Sequence, residues 1–115
     1  MPIINLTEHD IVVLEGNTSL VFAPEGIVAR LIEKNETPAG YVDGMCLVDV
    51  ENTGEIQNLP EPVEGVFLIT STAVQKRAWA LGRTDVIAPN TGETALRKDG
   101  RVVAVRSFRR FVSKV

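Results

Sequence analysis

Val66-Phe67-Leu68-Ile69-Thr70-Ser71-Thr72-Ala73-Val74-Gln75-Lys76-Arg77-Ala78-Trp79-Ala80-Leu81-Gly82 is the stretch on which the fold turns, because its apolar residues change period midway. Val66 to Ile69 are apolar on both faces, which is the pattern of a central, covered strand rather than an edge. Ser71-Thr72 then supply hydroxyls able to cap a helix over about 72–81. Val74, Ala78 and Leu81 share a stripe of that helix, and Gly82 is its stop. A further strand, Asp85-Val86-Ile87-Ala88, follows and is stopped by Pro89.

Outward from this unit, the chain reads as strands. Ile11-Val12-Val13-Leu14, Ser19-Leu20-Val21-Phe22, Ile27 to Ile32 and Met45 to Val50 are short, rich in β-branched residues and separated by Gly, Pro, Asn and Asp. Glu15-Gly16-Asn17-Thr18 and Pro24-Glu25-Gly26 are turns. Leu59-Pro60-Glu61-Pro62-Val63-Glu64-Gly65 cannot pair through its prolines and is an extended crossing loop. The last strands, around Ala95-Leu96 and Val102 to Phe108, flank Lys98-Asp99-Gly100-Arg101, where Asp-Gly signals a type I′ hairpin. The expectation is a single α+β, β-rich domain over 1–115: a mostly antiparallel or small barrel-like sheet with one helix.

The net charge of −3 conceals an asymmetry. From Arg97 onward seven basic residues face one acid, a balance of +6, whereas residues 1–96 carry five basic and fourteen acidic side chains, a balance of −9. Such a split fits an acidic body with a basic patch, or a basic strand set against acidic neighbours. No apolar run approaches the ~18 residues of a membrane span, and the N-terminus lacks a signal-peptide pattern, so a cytoplasmic protein is expected. The lone cysteine, Cys46, lies in Met45-Cys46-Leu47-Val48 and reads as a small core filler.

Metal spacing of the HExxH, cysteine-histidine or aspartate-loop kind is missing, as are Gly-rich phosphate loops, so neither a metal nor a cofactor is implied. No Ser/His/Asp or Cys/His grouping around His9 is recognisable by spacing, so the expectation is a non-catalytic protein, with a hydrolase or transferase using His9 and a carboxylate as a third reading. Four features point to binding instead. Thr70, Ser71 and Thr72 surround a helix start, where open amides favour an anion. Arg83 and Asp85 approach the same region if the chain doubles back through a strand-helix-strand unit, or else form a surface pair. Asn5, Thr7 and His9 fall on one side of an extended segment, or serve a turn before Ile11. Arg30 interrupts an apolar run and needs either water or an anionic partner. The stretch Arg106-Ser107-Phe108-Arg109-Arg110-Phe111-Val112-Ser113-Lys114 mixes charge with aromatics, but the overall acidity disfavours nucleic acid and favours Phe108 and Phe111 as core anchors.

The chain as a whole resembles a family of small proteins of unestablished function encoded by bacteriophages and bacterial mobile elements. The resemblance rests on Asn5-Leu6-Thr7 with His9 and Ile11, Pro24-Glu25-Gly26 with Ala29-Arg30, and Leu59-Pro60-Glu61-Pro62 through Gly65 to Ile69-Thr70-Ser71. It continues in Arg83, Asp85-Val86, Ala88-Pro89, Thr91-Gly92, Arg97 and Gly100. It implies a phage-like origin and a bacterial host cytoplasm. It also marks Asn5, Thr7, His9, Arg30, Ser71, Arg83, Asp85, Thr91 and Arg97 as the pattern's polar positions.

Together these readings favour a non-catalytic binder that sequesters a phosphate-bearing, nucleotide-like molecule such as a host defence signal. The alternative is a protein-interaction module that inhibits a host protein or serves as a small phage component. So small a domain also allows a site shared between copies in a homo-oligomer.

Overall fold

The computed structural model describes residues 2–111; Met1 and residues 112–115, including the Val112-Ser113-Lys114 end of the basic stretch, lie outside them, as do the side chains of Lys34, Asn35 and Asn52. In chain order the elements are β1 (Ile3–Asn5), β2 (Ile11–Glu15), β3 (Thr18–Phe22), β4 (Arg30–Val42), β5 (Met45–Gln57) and β6 (Phe67–Ile69). They continue with α1 (Thr72–Ala80), β7 (Val86–Pro89), β8 (Leu96–Lys98), β9 (Arg101–Ala104) and β10 (Phe108–Arg109).

The apolar run at 66–69 forms a central strand as expected. β6 lies between β1 and β7 in a four-stranded sheet of order β1-β6-β7-β10. Leu68 and Ile69 are fully buried. The mostly antiparallel expectation holds for the molecule, and the central sheet is its parallel part: β1, β6 and β7 run parallel, and only β10 is antiparallel there. Parallel neighbours require a crossover, and α1 supplies it between β6 and β7. The remaining sheets, β2-β3, β4-β5 and β8-β9, are two-stranded and antiparallel, and none of the sheets closes into a barrel. The result is a β-rich α+β fold.

Both ends of α1 obey local rules. Ser71, extended at φ −65°, ψ 161°, is the N-cap and accepts from the Val74 amide. At the other end Gly82 takes φ +90°, its amide donates to the Trp79 carbonyl, and the Arg83 amide reaches back to Ala78. That pair of bonds is a Schellman closure, which needs a residue free of Cβ strain at this φ. Val74, Gln75 and Ala78 form the buried face, but Leu81, expected on the stripe, is exposed because it caps the helix outside the sheet.

Leu6, Ala29, Leu68 and Val74 make a core cluster, with Ile4, Leu31, Ile56, Leu59 and Val66 packed against it. The backbone after β1 is tied in: the Leu6 amide donates to Ile69 and the Ala29 amide to Leu6. A second region joins β2 to the terminal strands, where Val105 exchanges backbone bonds with Val12 and Leu14. Phe108, an expected core anchor, meets Phe22 edge-on with ring centroids 6.0 Å apart, and Phe111 lies 6.1 Å from Trp79. Both rings are half-buried. The expected strand 102–108 is broken, since β9 ends at Ala104 and β10 begins again at Phe108.

The largest departure is the β4–β5 hairpin. The strands expected at 27–32 and 45–50 are the ends of two 13-residue strands, and 27–29 is not strand. Asp43 and Gly44 turn the hairpin with φ of 48° and 79°, matching Asp99 and Gly100 at 54° and 79° in the β8–β9 turn. Both are type I′ signatures. Pro38 is accommodated because an isolated ribbon has only edge strands, and three register shifts bend the ladder. Cys46 sits on this ribbon and is exposed, not a core filler. The radius of gyration is 16.7 Å, against about 13 Å for a compact chain of this length, because the ribbon projects from the body. No helix among the described residues is long and apolar enough to cross a membrane.

Candidate functional site

β1 and β6 are parallel neighbours, so the segments leaving their carboxyl ends emerge side by side and then diverge. Chain leaving β1 runs through Leu6-Thr7-Glu8-His9, and chain leaving β6 enters α1 at Ser71. Such a divergence leaves a crevice, which is where open α/β sheets bind ligands. Here the crevice is a cleft of about 750 Å³, within the range of small-molecule sites. The base of the β4–β5 ribbon forms its far wall.

Leu6, Val28, Ala29, Leu31, Ala73 and Val74 give the cleft an apolar floor, and Thr7, Glu8, His9, Arg30, Glu33, Gln57 and Ser71 supply its polar groups. Four sequence-predicted residues, Thr7, His9, Arg30 and Ser71, therefore converge. The side chains of Arg30 and Glu8 form an ion pair at the rim, 57% and 51% exposed, so the guanidinium is reachable from solvent. At the start of α1 the Val74 amide is capped by the Ser71 hydroxyl and the Gln75 amide by the Ser71 carbonyl, beside the cleft. With Arg30 against Glu8 and Glu33, the lining is not cationic overall; an anion entering it must compete with Glu8 for Arg30.

Two predicted residues support the cleft without lining it. Asn5 is 2% exposed and uses its whole amide: Nδ2 donates to the His9 and Phe22 carbonyls at 2.8 Å, while Oδ1 accepts from the Thr7 amide and hydroxyl at 2.9 and 2.6 Å. It sets the turn that presents Thr7 and His9, which is the turn-stabilising role open to this segment in the sequence. Thr70 is fully buried, its hydroxyl donating to the Ser71 carbonyl.

Arg83, Asp85, Thr91 and Arg97 are not in the cleft. A strand-helix-strand unit does form, but it places Arg83 and Asp85 at the amino end of β7, opposite the helix start. Arg83 binds both Asp85 oxygens at 2.9 and 2.8 Å and the Pro60 carbonyl, which fastens the crossing loop. The Asp85 hydrogen bond raises the Arg83 pKa above its ordinary range; burial opposes this, and the charges of Asp85 and Glu61 add to it. Arg97 donates to the Thr91 and Gly92 carbonyls and closes the loop after β7. These contacts fasten loops away from the cleft.

Glu8, Glu33, Gln57 and the apolar floor went unpredicted. Glu8 and Arg30 are twenty-two positions apart and meet through the chain path around β2 and β3, for which no local spacing is a signal. Among the described residues no cluster of three or more His, Cys, Asp or Glu could hold a metal ion. Comparison of the chain with protein-family models, curated proteins and solved structures finds no match in any of the three.

Proposed function

We propose that this protein is a non-catalytic, phage-type binder that sequesters a phosphate-bearing, nucleotide-like small molecule in the cleft at the carboxyl ends of β1 and β6, acting in the cytoplasm of a bacterial host. The observation that carries this reading is the convergence of Arg30, Thr7, His9 and the α1 start over an apolar floor. The apolar side chains of the cleft that a base-like ring can reach are Val28, Leu31, Ile32 and Ala73, laid over the buried Leu6, Ala29 and Val74, and the cationic partner for a phosphate is the Arg30 guanidinium. On binding, the phosphate takes the place of Glu8 as the partner of Arg30, one anion exchanging for another with the charge of a diester or the greater charge of a terminal phosphate. The family resemblance supplies the setting, removal of a defence signal during infection.

The test is calorimetric titration with cyclic dinucleotides, NAD-derived signals and inorganic phosphate. Arg30→Ala should weaken the ligand found by about tenfold or more, since a charge-assisted bond is worth about 1.5–3 kcal/mol. Glu8→Gln should tighten it, because the competitor is gone. Arg83→Ala should leave it unchanged. Equal weakening by Glu8→Gln and Arg30→Ala, or indifference to both, would show the pair to be structural and sink the reading.

A second reading, a module that acts on a host protein, is favoured by the exposed apolar residues of the β4–β5 ribbon.

A further inference from the structure

Beyond the base of the β4–β5 ribbon, side chains that belong in a core stand in water. Tyr41 is 77% exposed and Met45 74%, and Val42, Leu47, Val48 and Val50 are exposed as well. The register places them on both faces: Val42, Met45 and Leu47 on one, Tyr41, Val48 and Val50 on the other. An isolated two-stranded ribbon is marginal in water, and its exposed apolar side chains call for cover on at least one face. The base is anchored well: Arg77 donates to the Gly54 carbonyl at 2.6 Å, Thr53 to Ile32 and Asn58 to Val28. Among the described residues the outer half shows no such ties to the body.

Charge identifies what covers it. Residues 36–51 hold four acids, Glu36, Asp43, Asp49 and Glu51, and no base. Two such ribbons set against each other would repel. The complementary surface is the β8–β9 hairpin near the other end of the chain, which carries Arg97, Lys98 and Arg101 against Asp99. That surface also exposes Leu96, Val102 and Val103. It is basic and apolar where the ribbon is acidic and apolar.

We propose that the outer β4–β5 ribbon docks onto the basic β8–β9 surface of a second copy of this chain, the second copy doing the same in return. Reciprocal contact closes a two-fold dimer, so no acidic ribbon is left unpaired. Two strands of eight residues, at about 3.4 Å per residue and 4.8 Å between strands, present a face on the order of 270 Å². Counted on both partners and in both reciprocal contacts, this reaches about 1,100 Å², above the roughly 1,000 Å² that a biological contact needs and in the range of weak, reversible interfaces. The proposal does not rest on the ligand reading of the cleft.

Sedimentation of the full chain over a wide concentration range tests it. A dimer is expected, weakened by salt because the contact is charged. Replacing Tyr41, Met45 and Val48 together by Ser should give a monomer whose body retains its unfolding temperature at low concentration. Lys98→Glu with Arg101→Glu should also give a monomer, and adding Asp49→Lys with Glu51→Lys should restore the dimer. A chain that stays monomeric throughout overturns the proposal, including one that instead captures a host protein on the ribbon. So does a dimer indifferent to the ribbon or to the charge reversals.

Discussion

The central sheet and the β4–β5 ribbon are made of much the same residues and use them in opposite ways. In β6 and β7, Leu68, Ile69, Val86 and Ile87 are buried under α1 and neighbouring strands. In the ribbon, Val42, Leu47, Val48 and Val50 carry comparable side chains into solvent. The difference lies in topology, not in residue type. A βαβ unit brings its own cover, because the crossover helix must lie on the sheet that it joins. A hairpin brings none, and long strands carry it past the end of the core. Residue type alone therefore does not reveal which apolar strand is core and which stays at the surface.

The contrast makes graded predictions for stability. Ile69→Ala should have the largest effect: the side chain is fully buried between two parallel neighbours, and such truncations cost about 2–5 kcal/mol. Urea unfolding reads the loss as a fall in midpoint at unchanged slope. Asn5→Ala comes next. It removes four hydrogen bonds and leaves two carbonyls and the Thr7 amide without that partner, for about 2 kcal/mol or more. Because Asn5 shapes the turn bearing Thr7 and His9, the same variant should also weaken any ligand of the cleft. A change at Asn5 that left both stability and binding intact would break the link drawn between the sheet and the site.

Elements whose rules are local could be read from the sequence. Ser71 caps the helix that the periodicity predicts, Gly82 ends it, and both Asp-Gly pairs take the positive φ that a type I′ turn demands. The Asp43-Gly44 turn was legible by the rule applied to Asp99-Gly100, since apolar residues flank it on both sides. The polar Glu33 to Thr37 stretch hid the continuity of β4, because alternation fails wherever neither face is buried. β1 was missed because three residues carry too little pattern, and its parallel pairing depends on a strand sixty-four positions away. The site divided along the same line. Ser71 was found as a helix cap and Thr7 and His9 as polar groups of one segment, and their partners Val74 and Asn5 are local. Arg30 was found as a charge out of place, and its partner Glu8 was set by the chain path.

Leu47→Ser should have the smallest effect on the isolated protomer and is the sharpest probe of the contrast. Leu47 faces Gly40 across the ribbon and is 45% exposed, so in a dilute monomer its loss should move stability by no more than about 0.5 kcal/mol, as for other surface positions. The same substitution in a core strand would add a cavity and a buried hydroxyl. Comparing Leu47→Ser with Ile69→Ala over a range of concentration separates the two regions. The cost of the core variant should be set within the protomer and hold at every concentration. That of the ribbon variant should be negligible when dilute and grow as copies associate, because mass action then couples folding to docking. If Leu47→Ser instead costs several kcal/mol at every concentration, the ribbon is folded against its own body, and the division drawn here between a self-covered sheet and an uncovered arm is wrong.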